Sequence, residues 1–239
     1  MMMQLLSAEL LKLRKTKVLS LLFVSPLFAG VLGFKLGQIE GISNEWLSPL
    51  LIMVPAHALI LLPLMIGILT SFLCRYEHLQ GGWKQLLSLP VSRVSVFMSK
   101  WLMITLLILI NQLLFMTAWI LVGAVKGYSD PFPADIFIKL LTGGFLATLP
   151  LAALFLWVSM AWTSFAAPLA LNVMFTLPNI MIINSEKIGP YYPWAQPFLA
   201  MMPQNEGFFI TEISFYLSIA CGFVCFFTGS FYYIKNKAV

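Results

Sequence analysis

Apolar residues run together in this chain in long blocks, and polar residues are swept to the ends of those blocks. The runs cover Val18–Gly37, Leu50–Leu73, Val96–Val125, Phe137–Trp162, Phe165–Ile183 and Ile213–Tyr233. A helix rising 1.5 Å per residue needs about twenty residues to cross roughly 30 Å of hydrocarbon, so each run predicts one membrane-spanning α-helix. The stretch from Phe137 to Ile183 is too long for one crossing, and Thr163 and Ser164, followed by Pro168, predict a tight turn inside it. The expected fold is all-α: a polytopic membrane protein of about six spans forming a single domain over residues 1–239.

Composition agrees with that pattern. Hydrophobic residues make up 60% of the chain and charged residues 10%, where a soluble domain carries about 25% charged residues. The opening MMMQLLSAELLKLRKTK sets charges among its leucines and lacks a small-residue cleavage site. It does not read as a removable secretory signal, and the first span is expected to stay. Orientation follows from the loops. Lys12, Arg14, Lys15, Lys17, Arg75, Lys84, Arg93, Lys100, Lys235 and Lys237 fall on one side, against only Glu9 and Glu77. The other side holds Lys35, Lys126, Lys139 and Lys187 among seven acids. Basic residues accumulate on the cytoplasmic side, which puts both termini and the loop between spans two and three in the cytoplasm.

Three segments do not span. Before the first run, Met3, Leu6, Leu10 and Leu13 recur at helical spacing with Gln4, Glu9, Lys12 and Lys15 elsewhere, predicting an amphipathic helix in the inner interface. The loop RYEHLQGGWKQLLSLPVSR, Arg75 to Arg93, places Leu79, Trp83 and Leu86 on one helical face. Gly81 and Gly82 interrupt it and Pro90 stops it. The external stretch from Asn184 to Thr211 carries four prolines with Tyr191, Tyr192 and Trp194. Such rings favour the headgroup level, so the segment is expected to dip into the outer interface in a re-entrant manner.

Signs of catalysis are missing. No G-x-x-x-x-G-K-[ST] phosphate loop occurs, so ATP-driven work would need a partner subunit, and the chain is expected to be non-catalytic. His57 and His78 are the only histidines, too few for most zinc sites. Cys74, Glu77 and His78 are spaced to share a metal, but such residues are ordinary at a charged membrane edge, and no metal or other cofactor is expected on the chain. The predicted spans hold no carboxylate of the kind an intramembrane hydrolase or ion carrier would bury. They do hold uncharged polar groups: Asn111, Gln112 and Thr117 in the third, Asn172 and Asn179 in the fifth. These form hydrogen bonds between helices or line a substrate path.

Three motifs carry a family resemblance. SAELLKLRKTK (Ser7 to Lys17), the loop EHLQGGWKQLLSLPVSRVSVFMSK (Glu77 to Lys100) and the external YYPWAQP (Tyr191 to Pro197) together resemble the type-two ATP-binding-cassette exporter permeases. The likeness is to the branch associated with lantibiotic immunity and bacitracin-type resistance. The resemblance implies a machine of two permease subunits, identical or related, and two ATPase subunits that carry the ATP and magnesium, located in the bacterial plasma membrane. It makes the cytoplasmic loop the coupling segment. Glu77, His78, Gln80, Lys84 and Gln85 are expected to dock on the ATPase. Trp83, Leu86 and Leu87 would anchor the loop to the spans, with Pro90 ending it and Arg93 and Lys100 holding the third span at the anionic inner surface. The implied cargo is an amphipathic antimicrobial peptide or similar hydrophobic compound, expelled outward through lipid. No nucleic-acid partner is expected. A lipid-linked substrate, or a scaffold without transport, stays open as an alternative.

Overall fold

The computed structural model describes residues 2–15, 17–39, 41–42, 44–79, 82–88, 90–202 and 212–236, and among these the regular structure is entirely helical. The first helix, α1 (Met2–Lys15), is separated from the first span by Lys17, whose φ of 55° lies in the left-handed region. A non-glycine residue there costs about 1 kcal/mol, and the break lets the chain leave α1 in a new direction. The first span, Val18–Leu36, opens with a 3₁₀ turn and continues as α2 (Val24–Leu36). The second, Leu50–His78, is α3 (Leu50–Val54), a π-helical stretch Pro55–Leu61, and α4 (Leu62–His78). Prolines 55 and 63 bracket the π-helical stretch, where a missing N–H unsettles the ordinary ladder.

The short α5 (Gly82–Ser88) follows in the predicted cytoplasmic loop. Next comes α6 (Arg93–Lys126), started by the Ser92 hydroxyl accepting from the Ser95 N–H and ended by Gly127 at φ 72°. Its 34 residues reach about 51 Å, well beyond the thickness of the hydrocarbon. α7 (Ala134–Ala161) contains Pro150, and α11 (Glu212–Asn236) closes the bundle. Among the described residues, five helices are long and apolar enough to cross a membrane. The stretch expected as the fifth span is shorter: α8 (Ala166–Thr176) and α9 (Asn179–Ile182) are parted at Leu177 and Pro178. The resulting 17 residues lie at the lower limit for a crossing.

α6 and α7 form the centre, with α2 against α6, α11 and α4 against α7, and α8 against α4. One apolar core, including Leu13, Leu73, Phe97, Trp101, Phe155 and Met160, fills the end of the bundle near α1 and α5. A second, including Met53, Phe115, Trp119, Leu140, Phe198 and Met201, fills the opposite end. Phe198 and Met201 belong to α10 (Gln196–Met201), which packs among α7 and the π-helical stretch. The segment expected at the interface is packed against the helices of the bundle. Trp194, predicted at headgroup level, is buried. Its indole N–H donates to Asn172 Oδ1 at 3.0 Å and its ring stacks between Phe175 and Tyr192, so it needs no water.

Candidate coupling site at the inner edge

The end of the bundle that carries the basic loops is fastened by four charges. Lys100 Nζ, fully buried, lies 3.0 and 3.2 Å from the two oxygens of Glu9, 3.0 Å from Glu77 Oε1 and 2.5 Å from the Leu73 carbonyl. Lys12 Nζ closes the group at 3.0 Å from Glu9 Oε1 and 2.6 Å from Glu77 Oε1. Two carboxylates and two ammoniums balance, which is the condition under which charges survive burial. Three chain segments meet here: α1, the base of the second span and the start of the third.

This arrangement corrects three expectations. Glu77, assigned to an outward docking face, is buried, because its helix turns it toward Lys12 and Lys100. Lys100, expected to meet anionic lipid, is enclosed between the two acids. In α1 the inward face includes Glu9 and Leu13, while Met3 is exposed, because Lys100 of a neighbouring helix and Lys12 of α1 itself supply ammonium groups for the acid. Glu9, Lys12 and Lys100 were not linked to Glu77 by spacing. The legible signal was a lysine set in the apolar run VFMSKWLMI and an acid within the leucines of α1.

α5 begins immediately beyond Glu77. Gly82 allows it to fold back on α4, since a Cβ there would strike the Tyr76 carbonyl and the Glu77 backbone. Trp83 is buried with its ring 6.1 Å from that of His78. His78 Nε2 donates to the Ser159 carbonyl at 2.8 Å, tying the root of the loop to α7. Gln85, Ser88 and Pro90 face outward. Arg93 reaches the Lys235 carbonyl at 3.4 Å, joining the start of the third span to the end of the last. Gln80 lies outside the described residues, as do the side chains of Lys84, Leu86 and Leu87.

The uncharged polar residues of the spans bond to neighbouring helices. Asn111 Nδ2 donates to the Leu22 carbonyl at 2.7 Å, and Asn179 Nδ2 to the Leu59 carbonyl at 3.0 Å. Each of those carbonyls lies four residues before a proline, Pro26 and Pro63, which has no N–H to offer it. An asparagine from another helix fills each gap. Asn172 Nδ2 reaches the Pro63 carbonyl at 2.8 Å, where a side chain at Gly67 would collide with the amide. Gln112 joins a chain of contacts: Ser25 Oγ donates to His57 Nδ1 (2.6 Å), His57 Nε2 donates to Gln112 Oε1 (3.1 Å), and Gln112 Nε2 meets Met201 Sδ (3.5 Å). Thr117 bonds back to the Leu113 carbonyl of its own helix and faces outward. Near the external end, partial burial pushes the Tyr192 phenol above its ordinary value near 10. It stays protonated and donates to Phe175 O at 2.6 Å, one of the last carbonyls of α8.

Residues 5–179 match the family described as ABC-2 family transporter protein, nearly three quarters of the chain. The chain belongs to that family. It is similar to the bacitracin transport permease protein BCRB of Bacillus licheniformis, 25% identical over 135 residues, which is 54% of this chain and 62% of that relative. The similarity thus spans less than two thirds of the relative's length. Family membership and the five membrane-length helices make this ABC-2 protein a multi-pass protein of the bacterial plasma membrane. The family match covers α1, the ion-paired group and α5 together.

Proposed function

We propose that this chain is the membrane-spanning permease subunit of an ATP-driven exporter. A separate ATPase hydrolyses ATP and grips α5 from the cytoplasm, and a second permease, identical or related, completes the pore. The cargo is an amphipathic antimicrobial peptide or a similar hydrophobic compound, moved outward. Family membership supports the transporter class, and the bacitracin transport permease of B. licheniformis supports the choice of cargo.

The observation that carries the mechanism is the ion-paired group of buried Glu9, Glu77 and Lys100 with half-buried Lys12 beside α5. A lever must be stiff where it is loaded. Docking of an ATPase on the outward face of α5, at Gln85 and Ser88, would push on a helix seated through Trp83 against the root of the second span. The ion pairs there join the second span to α1 and to the third span, so a push on α5 moves three segments together instead of bending one loop.

The test is co-expression with a candidate ABC ATPase subunit from the same organism, scored by tolerance to bacitracin and to a panel of lantibiotics. Increased tolerance that disappears when residues 82–88 are replaced by a Gly-Ser linker supports the reading. No change in tolerance to any membrane-active peptide refutes the cargo. Crosslinking from a cysteine at Gln85 that never captures the ATPase refutes the coupling role.

A further inference from the structure

A cavity of about 320 Å³ opens at the same end of the bundle, between the root of the second span and the turn joining α7 to α8. That volume falls within the range of small-molecule sites, roughly 300–1,000 Å³. Its walls are Leu79, Trp162, Phe165 and Pro168, and its polar groups come from Ser71, Arg75, His78, Ser159 and the turn residues Thr163 and Ser164. Arg75 supplies a full positive charge, and among the described residues no Asp or Glu lines the cavity. The nearest acid along the chain, Glu77, turns away to its two lysines.

Three features point to an anion carried on an apolar body. The Arg75 guanidinium is held over the rings of Phe72 and Phe165, at 5.8 and 5.4 Å from their centroids, which fixes it at the cavity while leaving it exposed. α8 starts at the cavity with Phe165 at its N-cap and no side chain capping it, so the positive end of an eleven-residue helix lies at the opening, although Pro168 in its first turn has no N–H to offer. Independently, Ser71 is 4% exposed, lines the cavity, and its Oγ has no hydrogen-bond partner. A buried hydroxyl without a partner is costly, and serine in a helix ordinarily bonds back to its own backbone. A ligand oxygen in the cavity would satisfy it.

We propose that this cavity seats the phosphate of an anionic lipid. Arg75 and the α8 N-terminus meet the phosphate charge, and the Ser71 hydroxyl donates to one of its oxygens. Trp162, 42% exposed at the rim, and Phe165 cover the glycerol and the first part of the acyl chains. A free phosphate ion would use the same polar groups but leave these aromatic walls idle, which favours the lipid. The site binds a lipid whatever the exporter carries, and it does not depend on the ATPase.

The full chain is purified in mild detergent and titrated with phosphatidylglycerol, or with phosphatidylcholine of the same acyl chains, and retained lipid is counted by native mass spectrometry. Both lipids present a phosphate, but phosphatidylcholine would also bring its trimethylammonium beside the Arg75 guanidinium, so one phosphatidylglycerol is expected to be retained at about tenfold lower concentration. Arg75→Gln should abolish that preference, Arg75→Lys should keep part of it, and Ser71→Ala should weaken retention about threefold. Ser71→Ala removes one oxygen, so it reports even if the arginine variants fold poorly. Equal retention of the two lipids, or a preference unchanged in both Arg75→Gln and Ser71→Ala, overturns the proposal. Displacement of phosphatidylglycerol by millimolar inorganic phosphate also overturns it, because the site would then belong to the free ion.

Discussion

Replacing Lys100 with methionine preserves the shape of the side chain and deletes its charge. In the native protein the ammonium sits within 3.2 Å of both oxygens of Glu9, within 3.0 Å of Glu77 and at 2.5 Å from the Leu73 carbonyl. Lys100→Met leaves two carboxylates, 5% and 3% exposed, sharing Lys12 alone. Removing one partner from a buried ion pair costs about 3–5 kcal/mol, whereas a solvated surface pair is worth less than about 1 kcal/mol. The variant should therefore lose about 3–5 kcal/mol when the purified chain is unfolded with SDS and followed by circular dichroism. Adding Glu77→Leu restores one acid to one base, Glu9 with Lys12, and fills the volume with apolar atoms. The double variant should recover about 2 kcal/mol relative to Lys100→Met, a coupling typical of residues in one network. A loss below about 1 kcal/mol, or two effects that merely add, would mean that water already screens these charges. The stiffness attributed to the inner edge would then have no physical source.

Other consequences can be measured in the same preparation. Asn111→Leu should cost roughly 0.6–2 kcal/mol in the SDS titration, and adding Pro26→Ala, which returns an N–H to the Leu22 carbonyl, should recover much of it; equal losses in the single and double variants would contradict the proline link. Gly82→Val should lift α5 from α4, lowering crosslinking between Gln85 and the ATPase by at least about half while leaving membrane insertion intact; undiminished crosslinking would show that the tight fold-back does not matter. Trp194→Phe keeps the stack with Phe175 and Tyr192 but loses the bond to Asn172, so melting monitored by near-ultraviolet circular dichroism should register a loss of about 1 kcal/mol.

The spans were legible because hydrophobic length is set by the bilayer and leaves a direct trace in the chain. α6 extends to Arg93, past the predicted start at Val96, because Ser92 caps it, and a cap at the end of a charged loop is a weak signal beside a long apolar run. The resemblance gave Trp83 an anchoring role and Gln85 a docking role, and in the structure the first is buried and the second exposed. Glu77 could not be oriented that way. Whether a carboxylate at a membrane edge faces water or protein depends on ammoniums brought from positions 12 and 100, and that pairing exists only after packing. The depth of α10 was hidden for a similar reason: Met201 gains its place beside Gln112 through contacts with helices far away in sequence. Spacing alone could not show that Asn111 and Asn179 would meet carbonyls left open by prolines on other helices.

The pairing of prolines with distant asparagines also bears on how the protein is made. A ribosome delivers the chain from its N-terminus, so the first span reaches the bilayer with the Leu22 carbonyl still missing its amide partner, which follows 89 residues later. The Leu59 carbonyl waits longer, for a side chain 120 residues further on. Early helices thus enter lipid incomplete and are finished by later ones, which makes the third span and α9 the steps that lock the nascent bundle.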